Sequence, residues 1–239
     1  MTELTRLNKF IRETGVCSRR EADKYIEEGR VTVNGKTPEL GTKVSVEDDV
    51  RIDGNPINKK EAAIYIAFNK PAGIICTTER DIKHNIIDYI NYPTRIFPIG
   101  RLDRASEGLI FLTNDGDIVN KILRAGNNHE KEYLVTVDKS ITETFIRRMG
   151  NGIPILETVT KKCFVEQTGK FQFRIILTQG MNRQIRKMCS FLEYEVKSLR
   201  RFRIMNITLE GLKEGSWREF SKQEIETVEK LISNSSKTE

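Results

Sequence analysis

GRLDRASEGLIFLTNDGD, residues 100–117, decides how the larger part of this 239-residue chain is read. Gly108–Thr113 is an apolar, β-branched and aromatic run, the composition of a buried strand. The acids and glycine of NDGD, 114–117, suit a turn and the cap of a following helix, so Asp115 and Asp117 are given structural roles. Asp103 is different. It is a lone carboxylate in the loop before the strand, following Arg101 and Leu102, and it reads as a reactive acid held beside a cation.

Working outward, further strands are expected at 63–68, 131–137, 159–166, 171–177 and 196–209, and helices at 118–124, 142–149, 183–192 and 222–232. Strands and helices do not alternate, and short turns such as Gln167–Lys170 join neighbours, which favours an α+β fold around a mainly antiparallel mixed sheet. The first 53 residues form a separate small unit. There, Leu7, Phe10 and Ile11 recur at helical spacing, Gly15 can end that helix, Ser18 with Glu21 fits a capping box, and Gly29 can close the second helix. Val31 and Val33 lead into Asn34-Gly35, a strong hairpin signal, and Val44, Val46, Val50 and Ile52 continue a small sheet. Polar residues 54–61 are assigned to a linker, 62–232 to the larger domain and 233–239 to a flexible tail.

Two short helices followed by strands, with SRREADKYIEEGRVTVNG at the junction, resemble the αL-type RNA-binding domain named after small-subunit ribosomal protein S-four, over residues 6–53. In that family the second helix and the loop after it face RNA, which implies contacts from Arg6, Lys9, Arg19, Arg20, Arg30 and Lys36.

Net charge is +6, and it is gathered: residues 161–203 hold eleven lysines and arginines against three acids. No apolar run approaches the roughly 20 residues that span a membrane, and the N-terminus lacks a signal core, so a cytoplasmic location with no membrane partner is expected. Four scattered cysteines and two histidines, none at metal-ligand spacing, point to no metal. Without GxGxxG or GxxxxGKS loops, a nucleotide cofactor, ATP and the methyl-transfer chemistry of a dinucleotide-type fold are not implied either.

With KEYLVTV (131–137), QGMNRQIRKM (179–188) and VKSLRRFRIMN (196–206), the opening motif is similar to the pseudouridine synthases of the RsuA/RluB/RluE/RluF branch, over nearly the whole larger domain. The resemblance implies cofactor-free isomerisation of uridine, in which the bond from uracil nitrogen to the anomeric carbon is broken and the base rejoined through carbon five. It makes Asp103 the catalytic carboxylate, either attacking the anomeric carbon or removing a ribose proton to give a glycal. Both routes need that carboxylate ionised, and a nearby guanidinium favours the charged form. Arg186 takes this part by resemblance, with Arg183 or Lys187 able to trade roles. Tyr133 corresponds to the tyrosine that stacks on the flipped uracil, Leu199 to an apolar pocket residue, and Arg101 to an arginine that positions displaced RNA. Arg183, Lys187, Arg200 and Arg201 extend the RNA-binding array, which Lys197 and Arg203 would join. Many relatives carry glycine in place of Met205, so the methionine singles out one subgroup of the branch. The implied partners are 23S ribosomal RNA or a large-subunit assembly intermediate, with a tRNA anticodon uridine as second candidate, and action as a monomer suffices. The competing reading is a noncatalytic RNA-binding or ribosome-assembly protein.

Overall fold

The structure, a computed structural model, describes residues 4–57 and 62–235. These fall into two compact units, one reaching Ala63 and taking in Tyr92–Arg95, the other holding Ile64–Asn91 and the chain from Ile96 onward.

The small unit contains β1 (Thr5–Arg6), α1 (Leu7–Glu13), α2 (Arg19–Glu27), β2 (Val31–Val33), β3 (Lys43–Val44), β4 (Val50–Ile52) and β5 (Asn55–Pro56). The capping box forms as read: Glu21 N donates to Ser18 Oγ and Ser18 N to the Glu21 carboxylate, a device that stabilises a helix by about 1 kcal/mol. Gly15 and Gly29 adopt the left-handed conformation beyond the two helix ends. Asn34 (φ 51°) and Gly35 (φ 76°) make the expected tight turn. The hairpin closes for one bridge only, Val33 with Lys36, and the ladder of β2 is made with β4, Val31 opposite Ile52. Val44 pairs with Thr5 in a separate two-stranded ladder, and Val46 lies in a turn, 78% exposed, outside the sheet it was expected to continue. Of the span 54–61 read as a linker, the first residues join the small unit's sheet: Asp53 and Gly54, both at positive φ, turn the chain so that Asn55–Pro56 pairs with β4. Residues 58–61 lie outside the described residues.

The large unit contains β6 (Tyr65–Lys70), α3 (Ile86–Ile90), β7 (Phe97–Ile99), β8 (Glu107–Thr113), α4 (Asp117–Leu123), β9 (Lys131–Val137), α5 (Glu143–Gly150), β10 (Pro154–Ile155), β11 (Thr158–Val159), β12 (Phe164–Gly169), β13 (Gln172–Leu177), α6 (Gln184–Phe191), β14 (Val196–Ile204), β15 (Ile207–Thr208), β16 (Trp217–Glu219) and α7 (Lys222–Ile232). Its sheet runs β12-β13-β9-β14-β8-β6-β16, with β15 on β14 and β7 on β8. Pairing is antiparallel except where β14 meets β8, Arg200 and Arg201 running parallel to Glu107 and Gly108. Glycine is required at that joint, since a Cβ on residue 108 would lie 2.1 Å from the Arg201 carbonyl oxygen. The isoleucines of α4 and α7 pack on Ala67, Leu109 and Phe111 of the sheet, which anchors β8 and the loop before it.

Two strands expected as continuous are broken. Residues 159–166 divide between β11 and β12, and residues 196–209 turn at Met205, whose φ of 52° lies in the region that favours glycine. Met205 keeps its place by burying its side chain among Ile204, Ile207 and Phe220. Residues 233–235, which the sequence places in the tail, make hydrogen bonds: Ser233 N donates to Lys230 O, and Ser235 Oγ lies 2.8 Å from His129 Nε2. Residues 236–239 lie outside the described residues. No described helix is long and apolar enough to cross a membrane.

Candidate active site

The loop before β8 is held by its backbone, leaving the acid side chain uncommitted. Leu102 is buried and its N–H donates to Cys76 Sγ, Ser106 N donates to Asp103 O at 3.0 Å, and Gly73 N donates to Arg104 O at 2.7 Å. Lys70, fully buried at the end of β6, donates to Pro71 O and Ile74 O and so fixes the segment that grips Arg104; burial pushes its pKa down. The Asp103 carboxylate makes no hydrogen bond to a described residue.

Two guanidiniums flank it without closing on it. Arg186 Nε and Arg183 Nη1 each lie 3.9 Å from Asp103 Oδ2. Arg186 is the anchored one: its Nη1 donates to Val196 O at 3.2 Å, and its Nη2 reaches Ser106 Oγ and Ala105 O. Arg183 takes up a left-handed conformation (φ 51°) just before α6 and is half exposed. Lys187 instead donates to Asn182 Oδ1.

Opposite the acid stands a wall made by strand alternation. Residues of one strand spaced by two share a face, and directly paired residues of neighbouring strands do as well. Tyr133 of β9 is paired with Arg201 of β14, and Val135 with Leu199, so Lys131, Tyr133, Leu199 and Arg201 project together. All four are buried and line a cavity of about 400 Å³ with Asp103, Arg183 and Arg186. Lys131 Nζ donates to His129 O at 3.0 Å, and burial, then the Arg201 charge, pushes its pKa down to about 8. Arg201 Nε donates to Leu109 O at 2.7 Å, and its guanidinium carbon lies 5.9 Å from the centre of the Tyr133 ring.

Arg201 therefore has to leave the surface RNA array, because its side chain points into the pocket wall and the residue is 5% exposed. Arg203 leaves it too, tied to Glu130 and Glu132, and Lys197 is engaged by Glu195. Arg101 is exposed at the rim of the pocket, and Arg200, next to Arg201 in sequence, is exposed as well. In the small unit Arg6, Arg19, Arg20 and Lys36 are exposed, whereas Lys9 pairs with Glu13 and Arg30 with Asp53 at 2.6 Å while covering the Tyr25 ring. Asp115 accepts from Asp117 N and from the Tyr65 hydroxyl, as a turn acid does. Lys131 and Ser106 went unremarked in the sequence. Lys131 was within reach of it, being two residues before Tyr133 on a strand.

Comparison with known proteins gives the family. The family described as RNA pseudouridylate synthase matches residues 64–191, and the S4 domain matches residues 5–50. Dual-specificity RNA pseudouridine synthase RluF of Escherichia coli (strain K12) is 58% identical over 233 residues, covering 97% of this chain and 80% of that protein. Ribosomal large subunit pseudouridine synthase B of Bacillus subtilis (strain 168) is 35% identical, covering 95% of this chain and 97% of its own. A solved pseudouridylate synthase superposes with a TM-score of 0.68 at 28% identity, covering 93% of this chain and 99% of that one.

The chain belongs to the RNA pseudouridine synthase family and is RluF-like within it. It is an isomerase that converts uridine in RNA to pseudouridine and carries an S4 RNA-binding domain, so the noncatalytic reading falls away.

Proposed function

We propose that this enzyme modifies a uridine of 23S ribosomal RNA, met as naked RNA or in an assembling large subunit, with a tRNA anticodon uridine as second substrate. It works in the cytoplasm as a monomer, and residues 1–53 recruit the RNA. The one observation that carries the catalytic reading is the placement of Asp103, fixed by its backbone, with its carboxylate facing a cavity between two arginines and a buried tyrosine.

The uridine leaves its stack and enters the cavity, its base against Tyr133 and Leu199, while Arg101 at the rim holds the displaced strand. Asp103 either bonds to C1′ or takes the C2′ proton. In both routes the N1–C1′ bond breaks with its electron pair on uracil and the base turns; the C5–C1′ bond then forms as the Asp103–C1′ bond breaks in the first route, or as Asp103 returns the proton to C2′ in the second, after which N1 gains a proton and the C5 proton is lost. Tyr133 is placed to assist that last transfer, and Arg186 holds the acid in register. Redox state is unchanged from start to finish, so the reaction calls for no cofactor. Exposed Arg6, Arg19, Arg20 and Lys36, with Arg101, Arg183 and Arg200, supply phosphate contacts.

Pseudouridine mapping tests this on deproteinised 23S RNA and on tRNA treated with the purified chain. Asp103→Asn should lose at least ~10³-fold in single-turnover rate while binding RNA as before. Undiminished turnover by that variant, or modification of neither RNA by the wild type, would refute the reading.

A further inference from the structure

Two guanidiniums of the pocket each keep a buried nitrogen with no hydrogen-bond partner among the described residues, Arg186 Nε and Arg201 Nη2. The first faces the Asp103 carboxylate at 3.9 Å. The second faces no described carboxylate within ion-pair distance, although Arg201 is 95% withdrawn from solvent and lines the cavity. A buried N–H left without an acceptor costs about 1–3 kcal/mol, and a buried cation without a counter-ion costs more. Its anchor, the bond from Nε to Leu109 O, fixes the guanidinium beside Tyr133, against which the uracil is placed.

An acceptor appears there during the reaction. Whichever route Asp103 takes, heterolysis of N1–C1′ leaves uracil with an extra electron pair shared among N1, O2 and O4. We propose that Arg201 is a second catalytic residue, whose Nη2 donates to a carbonyl oxygen of the flipped uracil and stabilises the anion formed as the base departs. Arg201 keeps its proton throughout, and the pair returns to carbon when C5–C1′ forms. A donor fixed in a dry site before charge develops is the arrangement that stabilises such an anion most. Lys131, in the same wall, adds positive charge to it. The inference rests on Asp103 being the reacting acid.

The test compares RNA carrying uridine with RNA carrying 5-fluorouridine at the target, because fluorine stabilises the uracil anion by itself. Consumption of the N-glycoside is followed in single turnover at saturating RNA by nuclease digestion and mass spectrometry. Arg201→Met should slow uridine about 100-fold and 5-fluorouridine by clearly less, with RNA affinity unchanged. Asp103→Asn should stop both; if it does not, the parent reading has failed. If Asp103→Asn stops both while Arg201→Met slows the two substrates equally, weakens only binding, or has no effect, Arg201 is structural and the proposal is overturned. Should the methionine variant not fold, Arg201→Lys carries the same comparison: a larger loss on uridine supports the role, and equal losses overturn it.

Discussion

Tyr133 and Glu132 are adjacent in β9, and the two faces of the sheet they serve treat charge in opposite ways. On the Glu132 side a carboxylate 6% exposed is closed on by Arg203 and by Arg174 at 3.0 Å, and Arg203 reaches Glu130 at 2.8 Å. On the Tyr133 side the nearest guanidiniums stop 3.9 Å short of Asp103, and Arg201 has no carboxylate partner among the described residues. Saturated ion pairs hold a fold in one state. Pairs held short of contact leave charge for a substrate to meet, at a cost in stability that the surrounding packing offsets.

That contrast can be broken from either side. Glu132→Ala removes the buried acceptor that two arginines share, leaving Arg203 its bond to Glu130 and Arg174 its bond to Glu166, and should lower stability by about 1–3 kcal/mol, read as a shift in the denaturant midpoint. The folded fraction should keep its single-turnover rate, since the lost contacts lie on the other face. Arg186→Ala should do the reverse, slowing the chemical step about 10²-fold with little change in midpoint or RNA affinity. A variant that loses affinity alone would make Arg186 a phosphate contact.

Lys131 sharpens the comparison with the smallest effect. Its pKa falls from 10.5 unfolded to about 8 in the fold, so between those values the unfolded chain binds more protons and stability rises with pH. From pH 7.5 to 9.5 this contributes about 1–2 kcal/mol, found by subtracting the urea-denaturation profile of Lys131→Met from that of the wild type. A difference flat across that window would show that the lysine is not held as a strained cation.

Much of the fold was legible because it followed periodicity. β9 and α7 fall where their apolar spacing puts them, and Ser18 with Glu21 announced a helix start. β7 and β16 were not legible: one contains Pro98 and pairs on β8 alone, the other is an edge strand of Trp, Arg and Glu, so neither shows an apolar alternation. Asp103, Tyr133, Arg186 and Leu199 were chosen by motif, and the fold brings them to one cavity. Arg201 was misread because a run of basic residues carries no mark of which side chain turns inward. Strand alternation from Leu199 held that mark, and it could be used only once β14 was known to be flanked on both edges.

The seam where β14 runs beside β8 also governs when the pocket can exist. The bond from Arg201 to the Leu109 carbonyl joins residues 92 apart, and the joint at Gly108 is the only parallel pairing among the described strands. Closing so long a stretch of chain is slow, because its entropy is lost before any contact repays it. A growing chain can complete the small unit and the β6–β8 pair long before β14 is available to dock. Catalytic competence is thus a late event in the life of each molecule, gained when the final third of the chain seals the seam.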